Sequence, residues 1–283
     1  MNFRVTSDLS YNLNGPTTFL FALKCIQTRG QQILRESLVT GPYVDVEEFT
    51  LAHGMNRISR LKTLNPGTLK ISYSAEVSTR TKIVSVADLN LDCPSNLSPE
   101  AIPFLFPSRY CQSDRFRQHA MDLFGNLTSP YTIAAGVSDW IFEHVAYVTG
   151  SSGETCSAID TLERRQGVCR DFAHLAIAFC RSMNVPARYA TCYAYQLQPP
   201  DFHACFEVFI DGWWYVFDPT HLAPLNGLVR IATGRDAADA AVCTIFGNPV
   251  LTGSHATCEC LDANFVPVTR DSLLQRNEMI ALL

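Results

Sequence analysis

Residues 202–220 read FHACFEVFIDGWWYVFDPT, two apolar runs joined by Asp211-Gly212. Asp-Gly between strand-like runs is a strong signal for a two-residue hairpin turn. With that pair as the loop, Ile210 faces Trp213, and the ladder runs outward to set Cys205 against Asp218 and His203 against Thr220. His203 and Asp218 then become diagonal neighbours on one face, with backbones roughly 7–8 Å apart and side chains within reach. A four-residue loop keeps this parity; an odd loop breaks it. The hairpin therefore sets an imidazole beside a carboxylate.

Upstream, GVCRDFAHLAIAFCRSMNVPARY at 167–189 carries a helical stripe of Phe172, Leu175, Ala176, Phe179, Cys180 and Met183, which Asn184-Val185-Pro186 should end. Cys169 lies three residues before Phe172, on the same face, at the helix's first turn. Unpaired N–H groups and the positive dipole end favour thiolate over thiol there. Gly167 permits close backbone approach. An earlier stripe through Ile133, Val137, Trp140, Ile141, His144, Val145 and Val148 predicts a second long helix, and Asp114 can cap one carrying Phe116, Ala120, Leu123 and Phe124. Strands return over 188–197 and 203–217. Helices first and antiparallel strands afterwards indicate an α+β core rather than a βαβ crossover fold.

Residues 1–95 read differently. Leu69, Ile71, Tyr73, Ala75 and Val77 alternate with Lys70, Ser72, Ser74, Glu76 and Ser78, the period of a sheet with one wet face. Phe19, Phe21, Leu23 and Cys25 suggest another strand. Asn14-Gly15-Pro16, Gly41-Pro42 and Asn65-Pro66-Gly67 mark turns. An antiparallel β-sandwich is expected. Pro94, Pro99, Pro103 and Pro107 then form a linker-like stretch, giving a β-rich domain over 1–95 and a catalytic domain over 96–283.

Across 283 residues, 22 Lys plus Arg against 27 Asp plus Glu leave a net charge of −5 with no basic cluster, which argues against nucleic-acid binding. A charged fraction of 17% with 47% hydrophobic residues indicates a folded core. No run approaches the ~18 apolar residues of a membrane helix. The polar start MNFRVTSDLSYNLNG lacks the apolar segment of a secretory signal, so a cytoplasmic protein is expected. An odd count of eleven cysteines fits reduced thiols better than a disulfide framework. Cys258 and Cys260 with His255 lack a second ligand pair, and no D-x-D-x-D-G loop occurs, so no metal or other cofactor is expected.

A packed cysteine, a strand-end histidine or a turn-capping aspartate each has an ordinary structural explanation. The three in this order resemble the transglutaminase-like superfamily, in which a Cys opens a helix and a His and an Asp follow on successive strands of a sheet. The resemblance is closest over roughly residues 130–225. PSRYCQSD at 107–114 and GRDAAD at 234–239 resemble a bacterial branch named as cysteine proteases, which carries a β-rich region ahead of its catalytic core. The resemblance implies a papain/transglutaminase-like core of helices packed on an antiparallel sheet. It assigns the nucleophile to Cys169, the base to His203 and the orienting carboxylate to Asp218.

Two departures concern the pocket. Cys205 stands where related sequences commonly carry Trp, and Cys192 where they carry a small residue. Expected chemistry is cysteine-dependent hydrolysis of peptide or carboxamide bonds through a thioester, with a peptide or protein as substrate. Acyl transfer to an amine and deamidation use the same triad, and a non-catalytic binding module is the remaining alternative. The Cys169 N–H is one oxyanion donor; Gln166, with Tyr193 or the Trp213 or Trp214 indole behind it, is expected to supply the second or line the site beside Cys205. The sequence does not define an oligomeric state.

Overall fold

The computed structural model describes residues 1–51, 55–89 and 97–283. Its first strands are β1 (Asn2–Leu13), β2 (Thr17–Phe21), β3 (Gln31–Gly41), β4 (Val46–Thr50), β5 (Arg57–Thr63), β6 (Gly67–Thr79) and β7 (Thr81–Ser85). Then follow α1 (Arg117–Phe124), α2 (Pro130–His144), β8 (Ala146–Tyr147), α3 (Ala158–Arg164), β9 (Gln166–Gly167) and α4 (Cys169–Ser182). The remainder comprises β10 (Ala187–Ala194), β11 (Phe202–Ile210), β12 (Trp213–Phe217), β13 (Leu228–Gly234), α5 (Ala237–Ala240), β14 (Cys243–Phe246), β15 (Val250–Cys260), α6 (Arg270–Arg276) and β16 (Glu278–Leu282).

The hairpin turns where Asp-Gly predicts. Asp211 and Gly212 have φ of +48° and +78°, the left-handed pair of a two-residue turn whose twist matches its strands. Pairs run from Ile210↔Trp213 to Phe206↔Phe217, the register expected from the sequence. This hairpin sits inside a six-stranded antiparallel sheet ordered β13-β10-β11-β12-β16-β7. Helix α4 packs against β10 and β11, with α2 and α3 against α4. The core is α+β.

Because α4 is wedged between the sheet and other helices, Asp171 through Ser182 are all buried, not only the apolar stripe. Its polar residues must therefore find partners within the protein. Arg181 donates to the Ala187 carbonyl from Nε and Nη2 (3.0 and 2.8 Å), to Phe106 O and Ser108 Oγ (both 3.0 Å), and to Arg235 O (2.6 Å). Removing the guanidinium would orphan the buried Ala187 carbonyl and three partly buried acceptors. Arg181→Met should cost about 3–4 kcal/mol of stability. Urea unfolding would show this as a lower midpoint with an unchanged slope; a loss below about 1 kcal/mol would contradict it.

The α4 ends are local chemistry. Asp171 Oδ2 accepts from the Val168 N–H at 2.9 Å, and a Cβ on Gly167 would lie 2.7 Å from that of Asp171, so glycine allows the cap to close. At the other end Asn184 takes φ +60°, and Val185 N–H returns to Cys180 O. Asp114, expected as a cap, is not one. It lies in a short 3-10 turn, and α1 starts at Arg117 after Phe116, whose ring is buried edge-on against Phe179. Packing, not capping, fixes that start.

On β6 the predicted alternation holds: Leu69, Ile71, Tyr73, Ala75 and Val77 are buried. Two four-stranded sheets, β15-β1-β6-β3 and β14-β2-β5-β4, form the sandwich, and Tyr11 packs across on Phe19 and Phe21 at 5.0 and 6.1 Å. β2 ends at Phe21, while Leu23 and Cys25 continue buried beyond it. The sheets do not part where the sequence changes texture. β14 and β15 return from the C-terminal part to edge both sandwich sheets, and β7 closes the edge of the six-stranded sheet. Pro94 and the 95/96 boundary lie outside the described residues.

Candidate active site

Cys169 is the first residue of α4 and is half-buried. Its N–H belongs to the first turn, where no intrahelical acceptor exists. The flanking loop is tied to the same turn. Asp171 Oδ1 accepts from Ser152 Oγ at 2.8 Å, and Arg170 donates to Ser152 Oγ and to the Gly153 and Cys156 carbonyls. The Tyr110 hydroxyl adds a bond to Glu154 O at 2.8 Å.

His203 and Asp218 are both buried, the histidine near the start of β11 and the aspartate one residue past β12. His203 Nε2 donates to Asp218 Oδ2 at 2.7 Å. The other carboxylate oxygen, Oδ1, accepts from the Thr220 N–H (2.9 Å) and hydroxyl (2.7 Å). Among the described residues Nδ1 of His203 has no hydrogen-bond partner, and the Cys169 thiol is near enough to act on the ring. One ring nitrogen is held by the carboxylate and the other is left for sulfur.

Charge follows from this arrangement. Burial alone would lower the His203 pKa, but the charge and hydrogen bond of Asp218, joined by Cys169, hold it well above the usual value. Burial would raise the Asp218 carboxyl, yet His203 and the Thr220 donors keep it below the usual range. Both directions favour an ionised carboxylate facing an imidazolium.

The remaining expected site residues divide. Gln166 lies on β9, three residues before Cys169, with its side chain exposed. Cys205 is fully buried two residues beyond His203, on the same side of β11; a hydrogen bond with the Cys192 thiol, then burial, raises its pKa. Buried there, it stays a neutral thiol. Tyr193 does not join the His203–Asp218 pair. Cys192 pairs directly with His203, so Tyr193, one residue on, points to the other face. There its hydroxyl accepts from Ser7 and donates to Leu23 O. Trp213 and Trp214 are also elsewhere, at the closed end of the hairpin, roughly 13–17 Å along the strand from Asp218. Trp213 carries Lys82 on its ring, and Trp214 packs with Phe104, Phe209 and Arg188.

His174 is structural. Its ring lies between Tyr110 and Tyr189, both at 5.1 Å, and Nε2 accepts from Ala237 N–H at 3.1 Å. Burial, then the Arg170 and Arg181 charges, lower its pKa well below the usual value, so it stays neutral. With Asp236 Oδ2 accepting from Tyr110 N–H, it clamps the 107–114 and 234–239 segments onto α4.

Sequence reasoning missed Tyr147. The helical stripe was read through Val148, but α2 ends at His144, and Ala146–Tyr147 form a strand pairing in parallel with β9. The short Val145-Ala146-Tyr147-Val148 run with its aromatic was the available signal for that switch.

Residues 117–219 match the family described as "Transglutaminase-like superfamily", and residues 1–94 match "Bacterial transglutaminase, N-terminal domain". The crystal structure of a "Putative Cysteine Protease" from Cytophaga hutchinsonii superposes with a TM-score of 0.97 at 46% identity, covering 100% of this chain and 98% of that one. "Uncharacterized protein ML0607" of Mycobacterium leprae is 30% identical over 121 residues, 40% of this chain and 43% of the relative, so the match takes in less than half of that relative's length. The periplasmic domain of TgpA from Pseudomonas aeruginosa is 17% identical, with 75% and 72% of the two chains covered and a TM-score of 0.37.

Proposed function

Because this chain belongs to the transglutaminase-like superfamily, we propose that it is a cysteine-dependent amide hydrolase acting on peptide or protein substrates. The observation that carries this reading is the His203 ring, bound to Asp218 through Nε2 and unpartnered at Nδ1 beside Cys169. The Cys169 thiolate attacks the amide carbonyl carbon; a C–S bond forms and the carbonyl electron pair moves onto oxygen. Collapse of that oxyanion breaks the C–N bond, and the amine leaves with the proton from the His203 imidazolium. Neutral His203 then takes a proton from water, whose oxygen displaces sulfur and releases the carboxylic acid. Asp218 holds the ring in one tautomer and balances its charge throughout.

Water is favoured over an amine as the second nucleophile. Transfer must compete against ~55 M solvent and calls for a dry, shaped amine channel, whereas Cys169 is half open to the surface. The proposal includes a reducing, cytoplasmic setting, in which the ten free cysteines among the described residues would stay reduced.

Mass analysis of products tests the reading. Incubation with an unfolded, glutamine-rich protein and a fluorescent primary amine should give shortened chains without amine incorporation. A gain of about one mass unit on an intact chain would make the protein a deamidase, and amine adducts or crosslinks an acyltransferase. An unchanged substrate across a peptide library would count against catalysis.

A further inference from the structure

An oxyanion hole needs converging donors, and the Cys169 N–H is only one. The exposed Gln166 side chain is not held toward the thiol by any described contact. Tyr147 is held. Opposite it in the β8–β9 ladder lies Gly167, two residues before the nucleophile, and the neighbouring Ala146 and Val148 N–H groups donate to Arg165 O and Gly167 O, both at 2.9 Å. The Tyr147 ring rests on Phe172, with centroids 5.7 Å apart. Phe172 stands one helical turn beyond Cys169 on the same face, so the phenol covers the turn that carries the thiol. The hydroxyl lies close enough to Cys169 to feel its charge, and burial followed by that charge raises its pKa, keeping it a protonated donor.

We propose that Tyr147 supplies the second oxyanion donor of the hydrolytic reaction put forward above, on which this inference rests. A hydroxyl both accepts and donates. When the tetrahedral oxygen forms, the O–H turns onto it and the Cys169 N–H donates to the same atom. Half-exposed, the ring keeps the freedom to make that adjustment while Phe172 and the β8–β9 ladder hold it near sulfur.

Tyr147→Phe keeps the ring and removes only the donor. The probes are p-nitrophenyl acetate, whose reaction with the thiolate forms an oxyanion and then an acetyl thioester plus p-nitrophenolate, and iodoacetamide, whose iodide is displaced at a saturated carbon without one. The wild type should be acetylated on Cys169 and Cys169→Ala should not; that pair tests the hydrolase reading itself. Tyr147→Phe should then slow acetylation about 10–10²-fold while leaving the alkylation rate essentially unchanged. Acetylation at the wild-type rate or faster would overturn the proposal. So would equal losses with both probes, which would make Tyr147 a support for the thiolate. A wild type that takes no acetyl group on Cys169 would remove the proposal together with its premise.

Discussion

Cys169→Ala is expected to lower turnover about 10⁴-fold or more, because the proposed thioester forms on this sulfur and the Cys205 thiol nearby is fully buried. The fold should be unaffected. The α4 cap is built by the Val168 N–H and Asp171, not by the thiol, and alanine is a good residue for a helix's first turn. Matching circular dichroism and urea midpoints would establish this. Alkylation of the wild type should find the same residue. Burial pushes the Cys25, Cys111 and Cys243 thiols up to about 12, and Cys205 is raised by its bond with Cys192 and by burial. Cys169 is half-exposed at the start of α4, within reach of the reagent. Peptide mapping dominated by another cysteine, or residual turnover near the wild-type rate, would sink the assignment. Cys205→Ala should lose far less, since that thiol is fully buried against Cys192 and its raised pKa keeps it protonated.

What the sequence made legible was whatever a local rule determines. Asp211-Gly212 has one favoured turn, and a two-residue turn fixes every later pair, so the His203–Asp218 contact could be read before any coordinates. The helix opening at Cys169 was equally readable from its stripe. Tyr193 was misplaced because its partner strand was not known: pairing Cys192 with His203 sends the tyrosine to the other face. Trp213 and Trp214 were misplaced although the same register puts them at the turn, where they could not reach Asp218. The return of β14 and β15 to the sandwich had no local signature. β15 is mostly exposed and shows no alternation, and which edge such a strand joins depends on contacts distant in sequence.

Asp218→Asn tests charge and tautomer together. Thr220 directs two donors, an N–H and a hydroxyl, at Oδ1, while His203 directs one at Oδ2. The new amide has only one oxygen. Turned toward the two Thr220 donors, it sets its NH₂ against Nε2, and that nitrogen must give up its hydrogen to become an acceptor. The proton then resides on Nδ1, where it faces Cys169 and blocks proton uptake from the thiol. The charge opposing burial is lost as well, so the His203 pKa should fall and the thiolate–imidazolium pair should be less populated. A serine triad loses about 10⁴ in turnover from this change; a thiol ionises more readily, so about 10²–10³ is expected.

The pH dependence gives a second readout. A raised His203 pKa keeps the ring charged past the ordinary histidine range, so the alkaline limb of kcat/KM should move to lower pH in the variant. In the wild type the depressed Asp218 contributes stability above the ~3.9 of an unfolded aspartate, lost as pH falls through its lower folded value. The raised His203 contributes below its unfolded ~6.5, and that contribution fades as pH rises through its higher folded value. The variant should lose both and show a flatter stability–pH curve. A turnover loss under about threefold with an unmoved alkaline limb would mean that Asp218 only shapes the Pro219 turn, leaving Cys169 and His203 to act as a pair.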